Sequence, residues 1–136
     1  MTESTPPLVD VLIIGGGPAG LTAALTLARQ RHTAVVFDSG HYRNASAKHI
    51  HTVITWDHKD PEEFRAAARN NIASGYETII FRDVAVETLR KTEDGSFEVT
   101  DTEGKLWTGK KVVLATGVRD IYPDIEGYDE CWVTGM

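Results

Sequence analysis

The chain has 136 residues, 41% of them hydrophobic and 25% charged, with a net charge of -6, the profile of one soluble globular domain with enough chain to bury a core. The acidic balance argues against non-specific binding to nucleic acid or to an anionic membrane, and no stretch reaches the roughly 18 consecutive apolar residues of a membrane span. With a single cysteine, Cys131, an internal disulfide framework and a cysteine-built zinc site are both excluded.

Residues 1–8 are polar, carry Pro6 and Pro7, and lack the basic start and apolar stretch of a secretory signal. They read as a flexible lead-in, and the expected compartment is cytoplasmic. The run Val9 to Ile14, broken only by Asp10, is short, β-branched and followed by glycines, as in a buried parallel strand. Gly15, Gly16 and Gly17 make a turn, and Pro18 takes the first position of a helix reaching about Gln30. Leu21, Leu25 and Ala28, with Ala24 beside them, form its apolar face. Ala34 to Asp38 is a second strand, so the first forty residues spell a βαβ unit with parallel strands.

Ser39 to Lys59 has no clean periodicity and is rich in His, Asn and Ser, which predicts a long loop, of a length that is usually either functional or disordered. A helix follows: Asp60 caps it, Pro61 opens it, Glu63 completes a capping box, and Gly75 closes it. Phe64, Ala67, Ala68 and Ile72 supply its apolar face. The period then changes to two. Strand-like segments at Thr78 to Phe81, Val84 to Thr88, Phe97 to Thr100 and Leu106-Trp107, with turns at Asp94-Gly95 and Glu103-Gly104, predict a small antiparallel meander. Val112 to Ala115 is a further buried strand ending at Thr116-Gly117.

The chemistry concentrates at Gly15-x-Gly17-x-x-Gly20. Gly15 permits the tight turn, Gly17 lets backbone approach a pyrophosphate, and Gly20 lets the helix lie close to the strand. The pyrophosphate meets free N–H groups and the positive end of the helix dipole. Asp38, at the end of the next strand, suits ribose hydroxyls and repels a 2′-phosphate, which disfavours NADP at this site.

Asp10-Val-Leu-Ile-Ile-Gly-Gly-Gly-Pro-Ala-Gly20 and Lys111-Val-Val-Leu-Ala-Thr-Gly117 together resemble the two stretches that pass the FAD in flavoproteins with two dinucleotide-binding domains. Asp38-Ser-Gly40, Tyr42-Arg-Asn-Ala45, His49-x-His51, Thr55-Trp-Asp-His58 and Asp60-Pro-Glu-Glu-Phe64 narrow the likeness. They resemble the thioredoxin-reductase-like flavoproteins (class II pyridine nucleotide-disulfide oxidoreductases), nearest the fungal dithiol oxidases of secondary-metabolite pathways. The resemblance implies a three-layer, Rossmann-like FAD-binding α/β domain, incomplete at one edge, with a parallel sheet and a small antiparallel meander over residues 9–136. It implies that Gly15, Gly17, Pro18, Ala19 and Gly20 hold the pyrophosphate and Asp38 and Ser39 the adenosine ribose. It puts Asn44 and His51 toward the flavin, Val84 against the adenine through its backbone, and Ala115, Thr116 and Gly117 along the second pass.

The departures weigh as much. Members of the resembled family carry a Cys-x-x-Cys pair in a later nicotinamide domain, a second glycine motif for NADPH, and a returning segment that closes the flavin pocket; this chain has none of them. The expectation is the N-terminal part of a larger FAD-dependent oxidoreductase that acts on a small-molecule dithiol or disulfide, with NADPH and a homodimer belonging to the full-length enzyme. No catalytic residue is expected within these residues. A non-catalytic nucleotide-binding module and part of a flavin monooxygenase stay open as alternatives. Cys131, beside Asp129 and Glu130, is expected to be structural or a linker residue, and no metal site is expected from His49 and His51, for which Asp57 and His58 are the only nearby partners.

Overall fold

A computed structural model describes residues 7–132; the rest of the lead-in and the last four residues lie outside the described range. The strands are β1 (Leu8–Ile14), β2 (Ala34–Phe37), β3 (Ile79–Arg82), β4 (Val86–Lys91), β5 (Phe97–Asp101) and β6 (Leu106–Leu114). The helices are α1 (Pro18–Arg29), α2 (Pro61–Gly75) and the single turn α3 (Tyr128–Cys131). One six-stranded sheet runs in the order β3-β2-β1-β6-β5-β4. Its β3, β2, β1 and β6 strands are parallel, while β5 and β4 continue it antiparallel.

Strand β2 is buried along its whole length. Ala34 and Val36 face a cluster containing Val11, Ile13, Leu21, Ala24 and Ile72, which seats α1 and α2 on one side of the sheet. Val35 and Phe37 face the opposite cluster with Leu12, Val84, Val99 and Trp107. Helices, parallel sheet and meander are therefore three layers, and a strand covered on both faces reads as an unbroken apolar run. Asp10, the polar break in β1, accepts from the Thr33 amide at 3.0 Å and from Lys110 Nζ at 2.7 Å. It ties the base of β1 to β6 and to the connection entering β2.

Several sequence expectations are corrected. Leu8 belongs to β1, not to the lead-in. Ile79–Arg82 joins the parallel sheet beside β2 instead of the meander. The expected strands at Leu106-Trp107 and Val112 to Ala115 are one strand, β6. It pairs antiparallel with β5 through Phe97 to Thr100 and parallel with β1 through Leu8 to Ile14. Its end is less buried than its apolar residues suggest, because Leu114 is exposed toward the cavity described below. In α2 the Asp60 carboxylate caps the Glu62 and Glu63 amides, and no return bond from Glu63 to the Asp60 amide is present among the described residues. Gly75 is the last helical residue without a left-handed φ. Ala67 is exposed, and Arg65 is buried on this helix instead. Trp56 packs edge-on against Phe64 at 5.6 Å.

Candidate functional site

From β1 the chain crosses through α1 to β2 on one side, and it later returns as β6 on the other. A parallel sheet opens a crevice at such a switch point, beyond the carboxyl ends of its strands. A cavity of about 560 Å³ lies there. Its walls come from the turn after β1 (Gly15 to Ala19), the end of β2 (Asp38, Ser39), the loop after it (His41 to Asn44), Ala85 and Val86, and the end of β6 (Leu114 to Val118). It opens onto a groove lined by Arg119, Asp120, Ile121 and Tyr122.

The glycines at the turn are dictated by contacts. Gly15 has φ of +118°, and a Cβ there would stand 2.1 Å from the Ala115 carbonyl oxygen, so the β1 turn touches the β6 turn. A Cβ on Gly20 would lie 1.9 Å from the Gly15 carbonyl oxygen. Gly17, the N-cap of α1, meets nothing within 4 Å and borders the cavity. No side chain caps this helix start and its first turn carries no acid, so the amides that begin α1 remain available to an anion.

Gly16 was not singled out by the sequence spacing, yet a Cβ on it would fall 2.2 Å from Asp38 Cγ. Asp38 is 8% exposed and lies against that backbone. Its Oδ1 accepts from the Gly40 amide at 2.9 Å, and its Oδ2 accepts from Tyr42 Oη at 2.7 Å. Burial and the bond to Asp38 push the Tyr42 hydroxyl up to about 12, so it stays a donor at neutral pH. The Arg65 guanidinium stacks 3.8 Å from the Tyr42 ring centre and donates to Asn44 Oδ1 at 2.9 Å. Arg43 forms a two-pronged pair with Asp120, at 2.9 and 3.0 Å, across the mouth of the groove. Three glycines in succession and the Tyr42-Arg-Asn stretch were the available signals for Gly16 and Tyr42. Arg65 had none, because it comes from a distant helix.

Of the residues singled out in the sequence, Gly15, Gly17, Pro18, Ala19, Asp38, Ser39, Asn44, Ala115, Thr116 and Gly117 line one cavity. Gly20 sits behind the wall, in the helix–strand contact. Val84 is buried in the core beneath Ala85 and Val86 and does not line the cavity. His51 lies away from it, on the exposed loop with Asp57 and His58.

The signature of the pyridine nucleotide-disulphide oxidoreductase family matches residues 9–135. The chain belongs to that family. It is 53% identical to thioredoxin reductase aclD of Aspergillus oryzae over 127 residues, covering 93% of this chain and 40% of the relative. It is 52% identical to thioredoxin reductase tcpT of Claviceps purpurea over 130 residues, covering 95% of this chain and 40% of the relative. The crystal structure of an oxidoreductase from Agrobacterium tumefaciens superimposes with a TM-score of 0.88 at 39% identity, over 94% of this chain and 43% of that one. The family member thus has the Rossmann-like fold of thioredoxin reductase structures, and it spans about 40% of the length of the curated relatives it matches. No helix among the described residues is long and apolar enough to cross a membrane.

Proposed function

We propose that this chain is the FAD-holding part of a thioredoxin-reductase-like oxidoreductase that interconverts a small-molecule dithiol and its disulfide. The single observation that carries the reading is the cavity at the sheet's switch point, bordered by an uncapped helix start and by Asp38. The residues fit the cofactor. Gly17 leaves space where a pyrophosphate needs it, the amides at the start of α1 face that space, and the Asp38 carboxylate is held ready for ribose hydroxyls. Ala115, Thr116 and Gly117 form the opposite wall. When bound, FAD supplies a two-electron acceptor between the dithiol and either oxygen or NADP. The protein's own part is to orient that group and exclude water around it.

Cys131 is exposed and is the chain's one thiol, so attack and resolution of a disulfide need a further cysteine pair. The proposal assigns that pair, the nicotinamide site and a homodimer contact to the whole protein, in the cytoplasm. The family resemblance also implies His51 as a flavin contact and Val84 as a backbone contact to adenine; neither lines the cavity, so the proposal does not rest on them. A second reading, a nucleotide-binding module without redox activity, draws on that same lone cysteine.

The test is a visible absorption spectrum of the purified chain followed by titration with FAD and with ADP. Saturable FAD binding is expected, tighter than ADP binding. Asp38→Ala should weaken both by about tenfold, equivalent to roughly 1.4 kcal/mol. ADP binding with no gain for FAD would restrict the site to the adenosine half. A folded chain that binds neither would overturn the reading.

A further inference from the structure

Arg65 is the buried cation of α2, 9% exposed. Among the described residues it joins no ion pair. A buried charge is costly unless hydrogen bonds or an opposing charge offset it. Here the offset is shared between two side chains. Nη1 donates to Asn44 Oδ1 at 2.9 Å, and the guanidinium lies 3.8 Å from the centre of the Tyr42 ring. The Tyr42 hydroxyl in turn donates to Asp38 Oδ2 at 2.7 Å. Guanidinium, phenol and carboxylate are thus one connected set. Asp38 and Tyr42 line the cavity at the switch point, and Arg65 does not.

We propose that Tyr42, held by Arg65, determines the cavity's preference for an adenosine ribose by fixing the Asp38 carboxylate in one orientation; this rests on the FAD reading of the cavity. Asp38 is held on three sides. Gly40, with φ of +76°, turns the chain so that its amide donates to Oδ1 at 2.9 Å, as an Asp side chain commonly does with backbone two residues on. The Gly16 backbone lies on the second side, where a Cβ would fall 2.2 Å from Oδ2. Tyr42 closes the third. A carboxylate offers about four lone-pair sites. Gly40 and Tyr42 take one on each oxygen, which leaves acceptor capacity on both for ribose hydroxyls. Burial and the bond to Asp38 push the Tyr42 hydroxyl up to about 12, so it remains a donor at neutral pH. Without that hydroxyl, Oδ2 has no donor among the described residues. The carboxylate is then free to turn about its last torsion, which is soft. Arg65 acts one step further back. Its stack on the ring and its bond to Asn44 fasten the start of the loop to α2, so that the hydroxyl stays aimed at Asp38. Tyr42 and Arg65 are therefore positioning residues, and both act through Asp38.

Calorimetric titration of the 136-residue chain with ADP and with 2′-deoxy-ADP reads the ribose contact as a ratio of affinities. The parent chain is expected to prefer ADP by about tenfold or more, the worth of one hydrogen bond to a charged group. Tyr42→Phe keeps the ring and its stack and removes only the hydroxyl. It should cut the preference to about threefold or less, chiefly by weakening ADP, with circular dichroism unchanged. Arg65→Met keeps an unbranched buried chain and should also lower the preference. The double variant should do no worse than Tyr42→Phe, because Arg65 acts through Tyr42. A role in packing alone would weaken both nucleotides alike and leave the ratio where it was. A folded Tyr42→Phe chain with the parent's preference would therefore overturn the proposal, as would single-variant effects that simply add. Should Arg65→Met fail to fold, Tyr42→Phe alone decides. The two readings fail differently. A parent chain that binds neither nucleotide overturns the cofactor reading and this one with it. A parent that prefers ADP, beside a Tyr42→Phe chain that prefers it equally, overturns only this one.

Discussion

Asp101 is a carboxylate with no exposed surface, at the end of β5 where the chain turns toward β6. Its Oδ1 accepts from the Glu103 and Lys105 amides at 3.0 Å each, and its Oδ2 accepts from Trp107 Nε1 at 2.9 Å with Arg82 Nη2 at 3.6 Å. Burial disfavours the charge, but the Trp107 and backbone donors and the Arg82 charge outweigh it and hold the carboxyl below the usual carboxylate range. Asp101→Asn keeps the shape, leaves one acceptor oxygen for donors on two sides, and turns an amide N–H against one of them. A loss of about 2–3 kcal/mol is expected in urea unfolding at pH 7. The sign with pH follows from the lowered value. The carboxylate's contribution is complete above the unfolded value of about 3.8 and is lost as pH falls through the lower folded value. The gap between parent and variant should therefore stay constant from pH 7 to about pH 5 and shrink below pH 4. A gap that widened on acidification would show that the charge was not what the site stabilised.

The end of α2 makes a quieter prediction. Gly75 has ordinary helical backbone, and a Cβ placed on it meets nothing within 4 Å. Gly75→Ala should therefore raise stability by about 0.5–1 kcal/mol, seen as a rise of roughly 2–5 °C in the thermal midpoint. A fall would mean that the helix needs glycine to end. The sequence suggested the opposite role for Gly75 because a glycine after an apolar helical run usually marks a left-handed cap; here the chain leaves through Tyr76 in extended conformation. β1, α1 and β2 were legible because each keeps one period throughout. β6 was not, because it serves two partners. Its polar middle, Thr108 to Lys111, looks like a break between strands, yet there Gly109 pairs with both Val9 and Phe97 and Lys110 reaches Asp10. The candidate site divides in the same way. The glycine turn and Asp38 are local patterns, while the brace around Asp38 depends on Arg65 meeting Asn44 across 21 residues, and the groove's edge on Arg43 meeting Asp120 across 77. No period in the sequence encodes contacts of that kind.

At the scale of the whole molecule, the surface beside the cavity is apolar. Leu114 and Val118 are 66% and 62% exposed on the cavity wall, and Ile121 is 90% exposed in the adjoining groove, with Ile125 at 60% beyond it. Exposed sheet edges commonly drive self-association by strand pairing, but neither edge of this sheet invites it. β3 is four residues long, and β4 exposes Glu87, Arg90 and Lys91. Apolar surface of this kind, concentrated on one side, drives association between copies when nothing covers it. The purified chain should therefore bind an apolar fluorescent dye and sediment partly as oligomers at neutral pH, in spite of its net charge of -6. Adding FAD should lower the dye signal only in part, because the cofactor would cover Leu114 and Val118 at the cavity and leave Ile121 and Ile125 outside. Ile121→Lys with Ile125→Lys should remove most of the oligomer, whereas Leu89→Lys on the β4 edge should not. Sedimentation velocity separates the two sources directly. If the β4 variant dissolves the oligomer and the isoleucine pair does not, association runs through strand pairing, and the apolar wall is not the sticky face of the molecule.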